Sequence, residues 1–115
     1  MDTVTKVPTY QATIYCGMLG EQEWTAKDAE DICQRFVNER SLCVTVTKTD
    51  FIYNGGREPG FIIGLINYPR FPSNPLVIKE RALTLAALLK KRYQQKRVTV
   101  VCTDETIMLG DIYDS

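Results

Sequence analysis

The chain has 115 residues, 44% of them apolar, and its 14 lysines and arginines balance 14 aspartates and glutamates. That length and composition give a single domain over 1–115 with a sizeable core, and they exclude intrinsic disorder. Balanced charge leaves no global field to draw in DNA or an anionic membrane, and no apolar run is long enough to span a bilayer.

Residues 1–10 show no strong period and read as an arm or a ragged edge strand. Residues 11–16 alternate, with Ala12, Ile14 and Cys16 on one face and Thr13 and Tyr15 on the other, the pattern of a half-buried strand. A polar loop with two glycines fills 17–24. Thr25 then reads as an N-cap with Asp28 three residues on, a capping-box spacing. Ala29, Ile32, Cys33, Phe36 and Val37 follow at helical spacing, predicting an amphipathic helix that ends near Arg40.

Residues 42–53 are β-branched and aromatic, a long strand closed by a turn at Asn54, Gly55 and Gly56. A loop through 57–60 leads into a third strand over 61–67, where Gly64 predicts a bulge or a close approach. The stretch 67–75 carries three prolines and is a stiff connection. It sets Asn67, Arg70 and Phe71 beside a helix N-terminus, where free N–H groups favour an anion.

The second helix takes Ser73 or Asn74 as cap and Pro75 in its first turn. Ile78, Ala82, Leu85, Ala86 and Leu89 form one face; Leu76, Leu83 and Leu88 are surplus, which predicts a homo-oligomer, a dimer or a hexamer. The basic cluster Lys90, Lys91, Arg92, Lys96 and Arg97 reads as a solvated helix end that suits the dipole. Residues 97–102 alternate as a fourth strand that runs on to Leu109, and 111–115 are a loose tail.

The order β-α-β-β-α-β is the split βαβ, ferredoxin-like motif of the α+β class, an antiparallel sheet with both helices on one face. In that fold the exits of the third and fourth strands share one end with Arg40. The glycine hairpin and Arg57 lie at the other, so Arg57 and Arg70 meet only in an oligomer.

Cys16, Cys33, Cys43 and Cys102 are widely spaced with no C-x-x-C, and read as buried, reduced core residues of a cytosolic protein. With no histidine in the chain, neither a zinc site nor ordinary triad chemistry is expected, and no cofactor is implied.

Three chemistries compete for this topology. RNA-recognition domains stack bases on aromatics of the first and third strands. Tyr15 faces the correct side, but residues 60–65 lack the later aromatics and the chain lacks a basic surplus. An acylphosphatase-like hydrolase would pair Arg70 with Asn67, but no glycine-rich cradle carries an arginine on the first loop. Asp104 and Glu105 offer carboxylates, a pair more often found in turn chemistry than in a catalytic dyad. The third reading is capture of a purine phosphate by an aromatic face, arginines and hydroxyls. The strand exits supply these as Phe71, Arg70, Asn67, Thr103, Asp104 and Thr106, with Arg81 and Arg97 adding charge.

The strings 42–47, 51–53, 56–60, 64–72 and 103–109 resemble a family of small phage proteins, the Thoeris anti-defence sponges. These sequester cyclic ADP-ribose isomers made by bacterial Thoeris systems. The resemblance covers residues 13–109, most specifically 67–72 and 56–60. It implies an oligomeric binder without turnover in the cytoplasm of the infected cell. It also implies that Phe71 stacks on the base and that Arg57, Arg70 and Arg97 hold the pyrophosphate. Cyclic di- or trinucleotides are a further ligand class of the family, at a separate site.

Overall fold

The computed structural model describes residues 1–18 and 25–110; the expected polar loop over 19–24 and loose tail over 111–115 lie outside them. The elements are β1 (Gln11–Gly17), α1 (Ala26–Asn38), β2 (Val44–Tyr53), β3 (Gly56–Ile66), α2 (Pro75–Arg92), β4 (Val98–Cys102) and β5 (Thr106–Leu109). The sheet runs β2-β3-β1-β4-β5 with every described neighbour antiparallel. This is the ferredoxin-like order, extended by one edge strand.

Two boundaries differ from the expectation. β3 begins at Gly56, not at 61, because the ladder with β2 continues to the turn through Phe51↔Glu58, Ile52↔Arg57 and Tyr53↔Gly56. Pro59 is tolerated because it lies past Gly17↔Gly60, where the pairing with β1 ends. The fourth strand is two: a turn closed by the Cys102 N–H donating to the Glu105 carbonyl (2.8 Å) folds β5 back onto β4.

Gly64 makes no bulge, since register is continuous through Thr13↔Gly64 and Thr45↔Gly64. A close approach explains it: a Cβ there would stand 2.6 Å from the Thr45 hydroxyl. Thr25 caps α1 by accepting from the Asp28 N–H (3.3 Å), and Asn74 caps α2 by accepting from the Val77 N–H (3.0 Å).

One side of the sheet carries the core. Period-two alternation turns Ala12, Ile14, Cys16, Phe61, Ile63, Leu65, Val98 and Val100 toward the helices. α2 answers with Ile78, Ala82, Leu85, Ala86 and Leu89, and α1 with Ala29, Ile32, Cys33 and Phe36. Of the surplus leucines, Leu83 packs against this core while Leu76 and Leu88 stay exposed. The cysteine expectation holds for Cys16, Cys33 and Cys102; Cys43 is exposed, because it lies just before β2 and outside its alternation.

The other side of the sheet meets no layer among the described residues. It shows Thr13, Tyr15, Thr45, Thr47, Phe51, Ile62, Ile66, Thr99, Val101 and Thr106, with Tyr15, Ile66 and Val101 each more than a third exposed. None of the described helices is long and apolar enough to cross a membrane.

Candidate functional site

At the end where β3 and β4 exit, the polar residues bind one another. The Asn67 amide donates to the Pro8 carbonyl (2.7 Å) and its oxygen accepts from the Ser73 N–H (2.9 Å). The Thr103 hydroxyl accepts from the Gln11 N–H (2.8 Å). Asp104 accepts from the Tyr10 hydroxyl (2.9 Å) and from Lys79 (2.8 Å), and Lys79 also pairs with Glu105.

This network ties the N-terminal arm to the sheet. The Lys79 ammonium, and after it the Tyr10 hydroxyl, hold the Asp104 carboxyl below the usual carboxylate range. In the same cluster burial raises Tyr10 and Asp104 raises Lys79. The amide of Asn67 is engaged by the arm and the loop, which removes the water-placing group that an acylphosphatase-like reading needs. Lys79 occupies both members of the Asp104 and Glu105 pair.

Arg70 and Phe71 stand at the same end and are exposed, the guanidinium 5.6 Å from the ring centroid. Phe71 leans on Tyr68 (6.3 Å between centroids) and borders a groove of about 520 Å³ with Val37, Leu42, Cys43 and Val46. Arg57 lies at the opposite end, paired with Asp50 at 3.1 Å. Arg97, just before β4, is at that end too, so the structure separates Arg57 and Arg97 from Arg70 within one chain. Arg81 is half-buried on α2, and Thr106 is exposed on the open side of β5.

A second constellation lies on the open sheet face at the hairpin end, and Glu58 is its centre. Glu58 is half-buried and sits across from Phe51 on β2. A methyl group on Gly17 would stand 3.0 Å from the Glu58 carboxylate and 3.1 Å from the Gln95 side-chain oxygen. The Gln95 amide nitrogen donates to the Tyr93 carbonyl (3.0 Å), which turns its oxygen toward Gly17. Both oxygens therefore close on the Gly17 backbone from one side, and neither takes a hydrogen bond or ion pair from a described residue. A side chain at position 17 would collide with both, so glycine is what lets them approach the strand this closely.

The Phe51 and Tyr15 rings lie on the same face as Glu58, edge to face at 6.5 Å. An oxygen pair beside aromatic faces suits a cation with an apolar body. Behind it, Asp28 ties the helices together by accepting from Tyr93 (3.0 Å) and Arg92 (2.8 Å). The Tyr93 hydroxyl is buried, and burial raises it above the usual tyrosine range.

Glu58 was legible only as part of a loop string. Its significance depends on the hairpin register, which brings Gly17 and Gln95 from distant parts of the chain to the same carboxylate. Among the described residues no cluster of histidine, cysteine or carboxylates has metal-ligating spacing.

An open antiparallel sheet of the ferredoxin-like kind, backed by two helices on one face, is the class of protein this geometry defines. Among solved structures the chain is similar to a phage SAM lyase in its apo state, at 11% identity over 92% of both chains with a TM-score of 0.70. It is equally similar to a phage SAM lyase in complex with S-methyl-5'-thioadenosine, at 12% identity over 100% of this chain and 99% of that one, with a TM-score of 0.71. No family model matches the chain, and no curated protein matches it by sequence.

These likenesses establish a shared fold and correct one expectation. The resemblance to sponges implied binding without turnover, whereas the two solved structures to which the chain is similar are those of an enzyme, a phage SAM lyase. Residue types did not reveal this, because an aromatic face and arginine forks serve capture and catalysis alike.

Proposed function

We propose that the chain is a nucleoside-handling enzyme of the phage anti-defence kind, which takes S-adenosylmethionine and releases S-methyl-5'-thioadenosine. The observation that carries this reading is the paired acceptors of Glu58 and Gln95 on the open sheet face beside Phe51 and Tyr15. The substrate's sulfonium and ammonium groups are the cations such a place selects, and the rings receive its apolar body. The shared fold with a lyase that binds S-methyl-5'-thioadenosine supports the same class of ligand.

The chemistry fits a chain without histidine. The sulfur–Cγ bond breaks with its electron pair staying on sulfur. The substrate's own carboxylate oxygen closes on Cγ, so no proton moves and no general base is required. Opposite charges are consumed in that step, so a dry, apolar surface that strips water from the carboxylate favours it. A protein carboxylate set against the sulfonium stabilises the reactant more than the product. Glu58 therefore seats the cation, and the rate comes from orientation and desolvation. In this reading a second copy of the chain closes over the open face, shielding Tyr15, Ile62, Ile66 and Val101.

The test is incubation with S-adenosylmethionine followed by chromatography for S-methyl-5'-thioadenosine. Formation of that product above the buffer blank is expected, and none in the presence of bound substrate overturns the assignment. A second ligand, a cyclic ADP-ribose isomer, is favoured by the strings 56–60 and 64–72 and by the exposed Arg70–Phe71 pair. Calorimetric titration with that nucleotide separates the two: heat that disappears in Phe71→Ala places it at the strand exits.

A further inference from the structure

On the helix side of the molecule, away from the open sheet face, α1 and α2 border a groove of about 680 Å³. Its floor is apolar: the open surface is Leu88 of α2, 47% exposed, beside the edges of the core residues Ile32 and Phe36 of α1, which are 9% and 3% exposed. Its rims are cationic. Arg35 and Arg40 stand on the α1 side and Lys91 and Arg92 on the α2 side, against one carboxylate, Glu39.

That concentration is not a reflection of the whole chain, whose charges balance. Two of the four cations have carboxylate partners: Arg40 pairs with Glu39 at 3.1 Å and Arg92 with Asp28 at 2.8 Å. Arg35 and Lys91, one on each side, are exposed and pair with no carboxylate among the described residues. The Arg40 guanidinium lies over Phe36, 3.9 Å from the ring centroid, and extends the floor at that end.

The geometry points to this groove as the docking site for an amphipathic, acidic helix of a partner protein. The occupant would lay its apolar stripe on Leu88, flanked by the edge of Ile32 and the Arg40 stem over Phe36, and meet Arg35 and Lys91 with glutamates or aspartates on its two flanks. A trough lined along two helices matches a third helix in shape, and its apolar anchors repeat at i, i+3 or i+4, and i+7. The charge pattern selects an acidic occupant, since a basic helix would meet like charge on both sides. A nucleic-acid backbone would gain from the cations but would find no polar partner on the floor.

The probe is a fluorescein-labelled alanine-based helix of about 16 residues, with leucines on one stripe and glutamates on both flanks, and its lysine-flanked counterpart is the control. Anisotropy is read with the full chain at low salt. Saturable binding of the acidic peptide alone is expected, weakened about tenfold or more by Arg35→Glu combined with Lys91→Glu and by raising salt to about 0.5 M. Leu88→Glu, at an exposed position, gives the same loss without altering the thermal melt. Binding unchanged in these variants, or absent at millimolar peptide, overturns the inference. So does a single-stranded oligonucleotide that binds and is lost in the charge-reversed variant. Self-association of the chain that the same variant abolishes overturns it as well, because the occupant is then a second copy.

Discussion

Glu58 is half-buried and has no ionic partner among the described residues, so removing its charge breaks no bond that holds the fold. The substitution Glu58→Gln is therefore expected to leave the melting temperature unchanged. Turnover of S-adenosylmethionine should lose affinity more than rate, with KM rising about tenfold or more and kcat falling less. Steady-state kinetics read the split, and a fall confined to kcat would assign Glu58 to the chemical step. Tyr93 is the opposite kind of residue. It is buried with its hydroxyl on Asp28, so Tyr93→Phe leaves one carboxylate oxygen without that donor while Arg92 holds the other. A loss of about 1–2 kcal/mol is expected in urea unfolding, with binding unaffected.

Among the elements, the N-terminal arm depends on a chain of side-chain bonds rather than on a ladder. Asn67→Ala removes the amide that holds both Pro8 and Ser73, and should cost about 1–3 kcal/mol and expose the arm to proteolysis. The lock is also pH-dependent. The folded state depresses Asp104, so its contribution is complete above the ordinary carboxylate value of about 4 and is lost as pH falls through the lower folded value. Amide exchange at Gln11 and Thr103 should therefore accelerate below about pH 4, and Asp104→Asn should remove that dependence.

The two helices were legible to within a residue or two at their starts, because capping residues and apolar spacing are local signals: Thr25, Asn74 and the Ile78-to-Leu89 face all fall where their chemistry places them. The β5 strand was not. Its separation from β4 is set by one backbone hydrogen bond at Cys102 rather than by any glycine or proline. The strand-exit residues 67–71 are conspicuous in the sequence for their proline and arginine. Asn67 and Asp104 proved to be engaged with the arm and Thr103 with Gln11 at the start of β1, partners that lie 92 to 94 residues away from Thr103 and Asp104 in sequence.

Across the whole molecule the sheet divides two environments, and the four thiols record that division. Burial, and after it the Glu58 carboxylate, push the Cys16 thiol up to about 12, and burial with Glu30 nearby pushes Cys33 up to about 11. Cys102 is buried with them, while Cys43 stands in solvent. A thiolate is the reactive form, so the buried groups react only when the layers part. The folded chain should therefore titrate about one thiol with an aromatic disulfide reagent, and the other three at a rate set by opening of the core. The native sequence thus carries its own clock: the slow phase of colour development measures how often helices and sheet come apart, with no engineered residue needed.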